Sequence, residues 1–214
     1  MSQRALIIAN GETPEAGLVR SLLDAGRVVI CADGGANAAR ILGIRPDVIV
    51  GDLDSVLPET LTHFRGVAIH EDRDENATDL EKAVVWAIGQ ACEEITIVGA
   101  LGRRLDHTVG NLGVLPKFHK QAVIRVVDAL GELTYVGRQY EFAARPGDIV
   151  SLVPLNRCTG ITTTGLRYAL RGEALELGTR DGTSNVVVSS PVVVRVERGH
   201  LLLYRLRGHE AGGA

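Results

Sequence analysis

Asp52 and Asp54 stand two residues apart, directly after the apolar run Val48-Ile49-Val50 and Gly51. A short unbroken apolar run suits a strand buried on both faces, and Gly51 lets the backbone turn or approach a ligand. In extended chain, carboxylates at this spacing point the same way. Neighbouring negative charges are costly unless a cation neutralises them. Hard oxygen ligands suit Mg²⁺, which usually arrives with a substrate phosphate. Three further segments carry comparable chemistry. Cys31-Ala32-Asp33-Gly34-Gly35-Ala36-Asn37 follows an apolar run and opens a helix, where small residues expose backbone N–H groups to an anion. In Thr78-Asp79-Leu80-Glu81-Lys82, Thr78 and Glu81 form a capping box, and Asp79 and Lys82 share one helix face. Gly99-Ala100-Leu101-Gly102-Arg103-Arg104-Leu105-Asp106-His107 joins glycines to arginines, a composition suited to an anion. Each segment alone has a bland reading as a solvated turn or a helix cap. Together they put Asp33, Asp52, Asp54, Asp79 and Asp106 at one edge of one sheet, as expected of a Mg²⁺-dependent phosphoryl or diphosphoryl transferase.

The elements that must position these residues alternate through the first half. Strands are expected at Leu6 to Ala9, Val28 to Ala32, Val48 to Val50, Val67 to Ile69, Ile95 to Val98 and Val123 to Val127. Helices fall near 15–25, 35–42, 57–65, 78–91 and 106–119, with Leu80, Val84, Ala87, Ile88 and Ala91 as one buried stripe. Such alternation predicts a parallel sheet with helices on both faces, and ligands in such sheets bind beyond the carboxyl ends of the strands. From about residue 130 the pattern becomes short β-rich runs split by Gly, Pro and Asn: Asp148 to Val153, Gly160 to Leu170, Asn185 to Val188 and Val192 to Glu197. These predict an antiparallel sandwich or barrel. Gly182-Thr183-Ser184-Asn185 reads as a turn between such runs, and Tyr168 as a strand residue that packs or stacks on a ring. The domains expected are 1–128 and 129–214, with Gly208 to Ala214 a frayed tail.

Apolar residues make up 45% of the 214, enough for a real core, and the net charge of −3 comes without any basic run. A nucleic-acid surface is therefore not expected. Three widely spaced cysteines, Cys31, Cys92 and Cys158, exclude a disulfide framework and fit a reducing cytoplasm. No apolar run approaches the ~20 residues of a membrane span, and the N-terminal Ala5 to Ala9 run is too short for a signal h-region. No Gly-x-x-x-x-Gly-Lys-Ser/Thr loop and no dinucleotide fingerprint occurs.

The segments Ala32 to Asn37, Gly51 to Ser55, Thr78 to Lys82 and Gly102 to His107, followed by Thr164 to Tyr168 and Ser184-Asn185, resemble the thiamine pyrophosphokinase (thiamine diphosphokinase) family in content and order, over about residues 5–205. The resemblance implies an α/β plus all-β fold, with an N-terminal Rossmann-like parallel sheet domain that binds ATP and Mg²⁺ and a C-terminal antiparallel β-sandwich that binds thiamine. It implies a cytoplasmic homodimer that moves the terminal diphosphate of ATP to the hydroxyethyl oxygen of thiamine. On that pattern Asp52, Asp54 and Asp79 match the metal acids. Asp106, Asp33, Lys82 and Arg104 match catalytic positions around the phosphates and the hydroxyl. Gly34, Gly35, Asn37 and Thr78 match the nucleotide loops, and Ser184 and Asn185 the thiamine stretch. Family members often carry Gly-Gly-Arg where this chain has Gly102-Arg103-Arg104. The alternatives are a diphosphotransferase acting on a hydroxymethylpterin, which should lack the Ser184-Asn185 match, and a non-catalytic thiamine or nucleotide sensor, which need not keep the metal acids.

Overall fold

A computed structural model describes residues 3–24 and 26–207; the tail expected at Gly208 to Ala214 lies outside them. The chain divides into two compact units, Met1–Ala129 and Leu130–Ala214.

The first unit is built from β1 (Gln3–Ile8), α1 (Ala16–Leu22), β2 (Arg27–Ala32), α2 (Gly35–Leu42), β3 (Val48–Gly51), α3 (Pro58–His63), β4 (Ala68–Glu71), α4 (Asp79–Gly89), β5 (Cys92–Val98), α5 (Leu105–Leu112), α6 (Val114–Phe118) and β6 (Val123–Val127). Its strands are all parallel, in the order β6-β5-β1-β2-β3-β4. The chain runs outward from β1 to β4, then returns to lay β5 on the other side of β1. The order thus reverses between β1 and β5, the switch point outside which ligands bind in sheets of this kind. Leu6, Ile8, Val29, Cys31 and Ile49 pack against Val19 of α1, Ala36 and Ala39 of α2 and Phe64. The alternate residues Ile7, Ile30 and Val50 are equally buried and belong to the opposite face, along which α4 runs against β2 and β3.

Local chemistry explains the boundaries. Thr78 caps α4 by accepting from the Glu81 N–H at 3.3 Å, while the Glu81 carboxylate pairs with Lys117 at 3.0 Å. The buried stripe of α4 holds Leu80, Ala83, Val84 and Ala87, whereas Ala91 lies beyond the helix, exposed and left-handed. The single helix expected at 106–119 is two, broken at Gly113, because Pro116 has no N–H to give the carbonyl of Leu112. The fourth strand is displaced from the expected Val67 to Ile69 and exposed along its whole length.

The second unit contains β7 (Gly131–Tyr135), β8 (Gln139–Phe142), β9 (Ile149–Pro154), β10 (Cys158–Thr164), β11 (Arg171–Leu175), β12 (Gly182–Val186), β13 (Val192–Arg195) and β14 (Leu201–Leu206). They form two antiparallel layers, β12-β9-β14-β7 and β11-β10-β13-β8. Val150, Leu152, Leu201 and Leu203 of one layer share a core with Phe142, Ile161, Leu175, Val192 and Val194 of the other, so the unit is a β-sandwich. Gly182 to Asn185, expected as a turn, belongs to strand β12; a register shift between Gly182 and Asn185 and φ of 55° at Ser184 make it a bulge, which the turn-prone composition had suggested as a loop. The run expected from Gly160 to Leu170 ends as a strand at Thr164, where Gly165 turns the chain at φ of 80°.

Candidate active site

In the first unit, strand ends and helix starts meet around a cavity of about 570 Å³. Its walls include Asn10 and Gly11 after β1, Asp52 and Asp54 after β3, Asp74 to Lys82 apart from Asn76 and Glu81, and Ala100, Gly102, Arg103, Arg104, His107 and Asn111 around the β5–α5 turn. The loops after β1 and β5 are bonded to each other, Gly11 N–H to the Gly99 carbonyl at 2.6 Å and Glu12 N–H to the Leu101 carbonyl at 2.8 Å.

The acids gather differently from the expectation. β3 ends at Gly51, and Leu53 takes a left-handed φ of 69°, so Asp52 and Asp54 do not project from extended chain. A turn brings them together instead: the Asp54 N–H donates to Asp52 Oδ1 at 3.2 Å. Asp33, itself left-handed at φ of 43°, joins them, and the three offer carboxylate oxygens within 4.8 Å of one another. Gly51 makes this possible, since a Cβ there would come 2.8 Å from Asp33 Cβ and 3.2 Å from Asp79 Oδ1.

Asp33 is 1% exposed. Its Oδ2 accepts from the Ser55 N–H at 3.2 Å, but its Oδ1 is buried without a hydrogen-bond partner among the described residues. Burial pushes the Asp33 carboxyl up from its ordinary range; Asp79 and Asp54 push the same way, against the Gly34 and Ser55 donors. Burial also raises Asp79; Lys82 opposes this, and the charges of Asp52 and Asp54 add to it. Lys82, 5% exposed, reaches Asp79 Oδ1 at 3.3 Å. Four mutually repelling acids and an orphaned carboxylate oxygen form an oxygen-rich, electron-rich site that a divalent cation would satisfy.

The arginine loop is built oppositely. Arg104 Nη2 and Nε hold Asp106 at 2.5 and 3.2 Å, both side chains are largely exposed, and the guanidinium holds the Asp106 carboxyl down to about 2. Arg104 and His107 line the cavity, whereas Asp106 does not. Asn111, buried on α5, donates to the Ala100 carbonyl at 2.7 Å and pins the turn.

The remaining expected residues divide by role. Thr78 lines the cavity while capping α4. Gly34 and Gly35 open α2 beside it; a Cβ on Gly35 would come 2.0 Å from the Ile8 carbonyl oxygen, so that glycine serves the close packing of helix on strand. Asn37 is committed to Ser55 O at 2.8 Å and the Leu57 N–H at 3.0 Å. In the second unit, Asn185 is buried, accepts from the Tyr168 N–H at 3.1 Å and donates to its carbonyl at 2.8 Å, presenting an exposed Tyr168 ring. The Ser184 N–H donates to Ser151 Oγ at 3.0 Å. Asn10, Gly11, Asp74 and Asn111 escaped the sequence reading. Of these, Asn10-Gly11 carried a usable signal, a turn dipeptide directly after the first strand.

Strand-end acids, an anchored lysine and an arginine turn around one crevice define an enzyme that handles polyphosphate. The catalytic-domain model of thiamin pyrophosphokinase matches residues 19–127, and the family's vitamin B1 binding domain matches residues 139–201. Thiamine pyrophosphokinase 1 of rice, Oryza sativa subsp. japonica, is 30% identical, with 88% of this chain and 81% of the rice protein covered. Thiamine pyrophosphokinase of Bacillus subtilis is 27% identical over 76% of this chain and 79% of its own length. The crystal structure of the Geobacillus thermodenitrificans thiamin pyrophosphokinase superposes with a TM-score of 0.82 at 25% identity, covering 97% of this chain and 99% of that one. The chain belongs to the thiamin pyrophosphokinase family.

Proposed function

We propose that this protein is an ATP:thiamine diphosphotransferase, which moves the terminal diphosphate of ATP as one unit to the hydroxyethyl oxygen of thiamine and releases AMP. The observation that carries the reading is the acid cluster of Asp33, Asp52 and Asp54, two of whose members line one cavity with Asp79, Lys82 and Arg104, in a chain of this family. We assign ATP and metal to residues 1–128 and thiamine to 129–214, where Ser184, Asn185 and the exposed Tyr168 ring are the residues proposed to receive it.

Asp52, Asp54 and Asp79 would hold the divalent ion, taken to be Mg²⁺, with the buried Asp33 beside them. When bound, that ion offsets the charge that grows as AMP leaves. Little covalent work falls to the protein, which must align hydroxyl, β-phosphorus and leaving oxygen and exclude water. Lys82, held in place by Asp79, presents its charge to the phosphates. Arg104 and Asp106 act as a pair: a phosphate that draws Arg104 away frees the Asp106 carboxylate, lets its pKa return to the ordinary range and fits it to take the hydroxyl proton. Asp33 is the second choice for that proton. The same reading makes the protein a cytoplasmic homodimer, supported for the compartment by three buried free thiols; light scattering should give twice the chain mass of 22.8 kDa.

The test is to incubate the protein with ATP and Mg²⁺, adding thiamine, a hydroxymethylpterin or no acceptor, and to separate the nucleotide products. Equimolar AMP and thiamine diphosphate, formed only with thiamine, are expected. ADP, or AMP formed equally without thiamine, would overturn the assignment.

A further inference from the structure

We propose that Arg103 is an ATP-binding residue whose guanidinium, in no ion pair with a carboxylate among the described residues, meets the nucleotide's polyphosphate in this cavity. This deepens the diphosphotransferase reading and rests on it.

Among the described residues, three lysine or arginine side chains line the cavity: Lys82, Arg103 and Arg104. Lys82 is paired with Asp79 and Arg104 with Asp106. Arg103 differs, because its Nη1 bonds only neutral oxygens, Asn10 Oδ1 at 3.3 Å and the Asn10 carbonyl at 3.5 Å. Among the described residues, no carboxylate forms an ion pair with it. A neutral amide fixes a guanidinium without neutralising it, and the remaining N–H groups of the planar fork stay available to a phosphate.

The backbone points the same way. Arg103 sits at φ of 58°, a conformation disfavoured for any residue with a Cβ and open to glycine at no steric cost. Unfavourable backbone held beside a charged cavity supports a functional reading. The dock itself is rigid: the Asn10 side chain lies so close to Gly34 that a Cβ there would come 2.3 Å from Asn10 Nδ2. Asn10 thus links Arg103 to the β2–α2 turn that holds Asp33. Ordering the arginine before the ligand arrives removes that cost from binding. The charge is needed because Asp52, Asp54, Asp74, Glu75 and Asp79 line the same cavity and repel a triphosphate.

Steady-state kinetics of the full chain with Mg²⁺, ATP and thiamine test this. Arg103→Gly keeps the left-handed turn and removes the side chain; Arg103→Gln keeps the Cβ and a hydrogen-bonding group but removes the charge. Both should raise KM for ATP about 10- to 100-fold, the worth of a charge-assisted hydrogen bond, leave KM for thiamine within about twofold, and flatten the salt dependence of KM for ATP. Arg103→Gly should melt no lower than the wild type. An unchanged KM for ATP in Arg103→Gln would overturn the proposal. So would equal rises in both KM values with a lowered melting temperature, since Arg103 would then only prop the loop. A wild type that makes no thiamine-dependent AMP would overturn the diphosphotransferase reading instead; calorimetric binding of a non-hydrolysable ATP analogue to wild type and Arg103→Gln would still decide the role of Arg103, equal affinities counting against it.

Discussion

The acid edge and the arginine loop face one cavity, yet they store charge in opposite ways. At the acid edge, Asp33 and Asp79 are held above the ordinary carboxylate range, chiefly by burial and with neighbouring acids adding to it. At the arginine loop, Asp106 is exposed and held down to about 2 by Arg104. The acid edge is therefore destabilised until a cation arrives, whereas the loop is neutralised by itself until an anion competes for Arg104. On the proposed reading, a site assembled this way would accept a metal and a polyphosphate together more readily than either alone, because each would relieve what the other leaves uncompensated.

Removing one of the proposed metal acids should break this comparison most severely. Asp54→Asn is expected to lower kcat by about 10³-fold or more, in line with the loss of an organised charge-stabilising group, while a thermal melt stays near wild type; near-normal turnover with Mg²⁺ would show that the acid edge is not the metal site. Asp106→Asn tests the loop side and should cost about 10²- to 10⁴-fold in kcat, as for a proton acceptor. Its melting temperature should not move measurably, since an exposed ion pair contributes little. A full-rate Asp106→Asn enzyme would leave the loop with only a binding role.

Stability sharpens the contrast in sign. Asp33 has a folded pKa raised above its ordinary value of 3.8, so the folded state holds that proton more tightly than the unfolded state does. Its contribution to metal-free stability is present below 3.8 and is lost as pH rises through the raised folded value. Asp33→Asn, which tolerates the left-handed backbone, should raise the melting temperature of chelator-treated protein by a few degrees at pH 7 and shrink the stabilisation that Mg²⁺ gives. A lowered melting temperature in the metal-free state would contradict this. Asp106 has the opposite sign: its pairing contributes above the ordinary carboxylate value and is lost as pH falls through about 2. Any gap in melting temperature between wild type and Asp106→Asn should therefore not change from pH 5 to 8, and for an exposed pair it should be small, the smallest effect expected; a gap that changes with pH across that range would count against it.

The two regions also differ in how much of them could be read from the chain. Strand-end acids announce themselves by type and spacing, and Asp79 and Lys82 share a helix face as an i, i+3 pair must. The parallel sheet followed from the β/α alternation, and the sandwich from short β runs after residue 130. The geometry joining Asp52 to Asp54 was not legible, because Leu53 adopts a left-handed conformation that its side chain disfavours and only tertiary contacts enforce. Asn10 and Asn111 act through bonds to loops 93 and 11 residues away, and no local pattern marks such pairs. The bulge at Ser184 hid inside a composition typical of turns, since the same small polar residues serve both. The helix break at Gly113 had a visible cause in Pro116 that the apolar spacing of 106–119 outweighed.

The central claim is that two phosphates leave ATP together, and the most direct measurement uses ATP carrying ¹⁸O in the non-bridging oxygens of both its β- and γ-phosphates. After reaction with thiamine and Mg²⁺, mass spectrometry of the product should show thiamine diphosphate with both labelled phosphates and unlabelled AMP. Thiamine carrying a single labelled phosphate, with ADP as the nucleotide product, would contradict it.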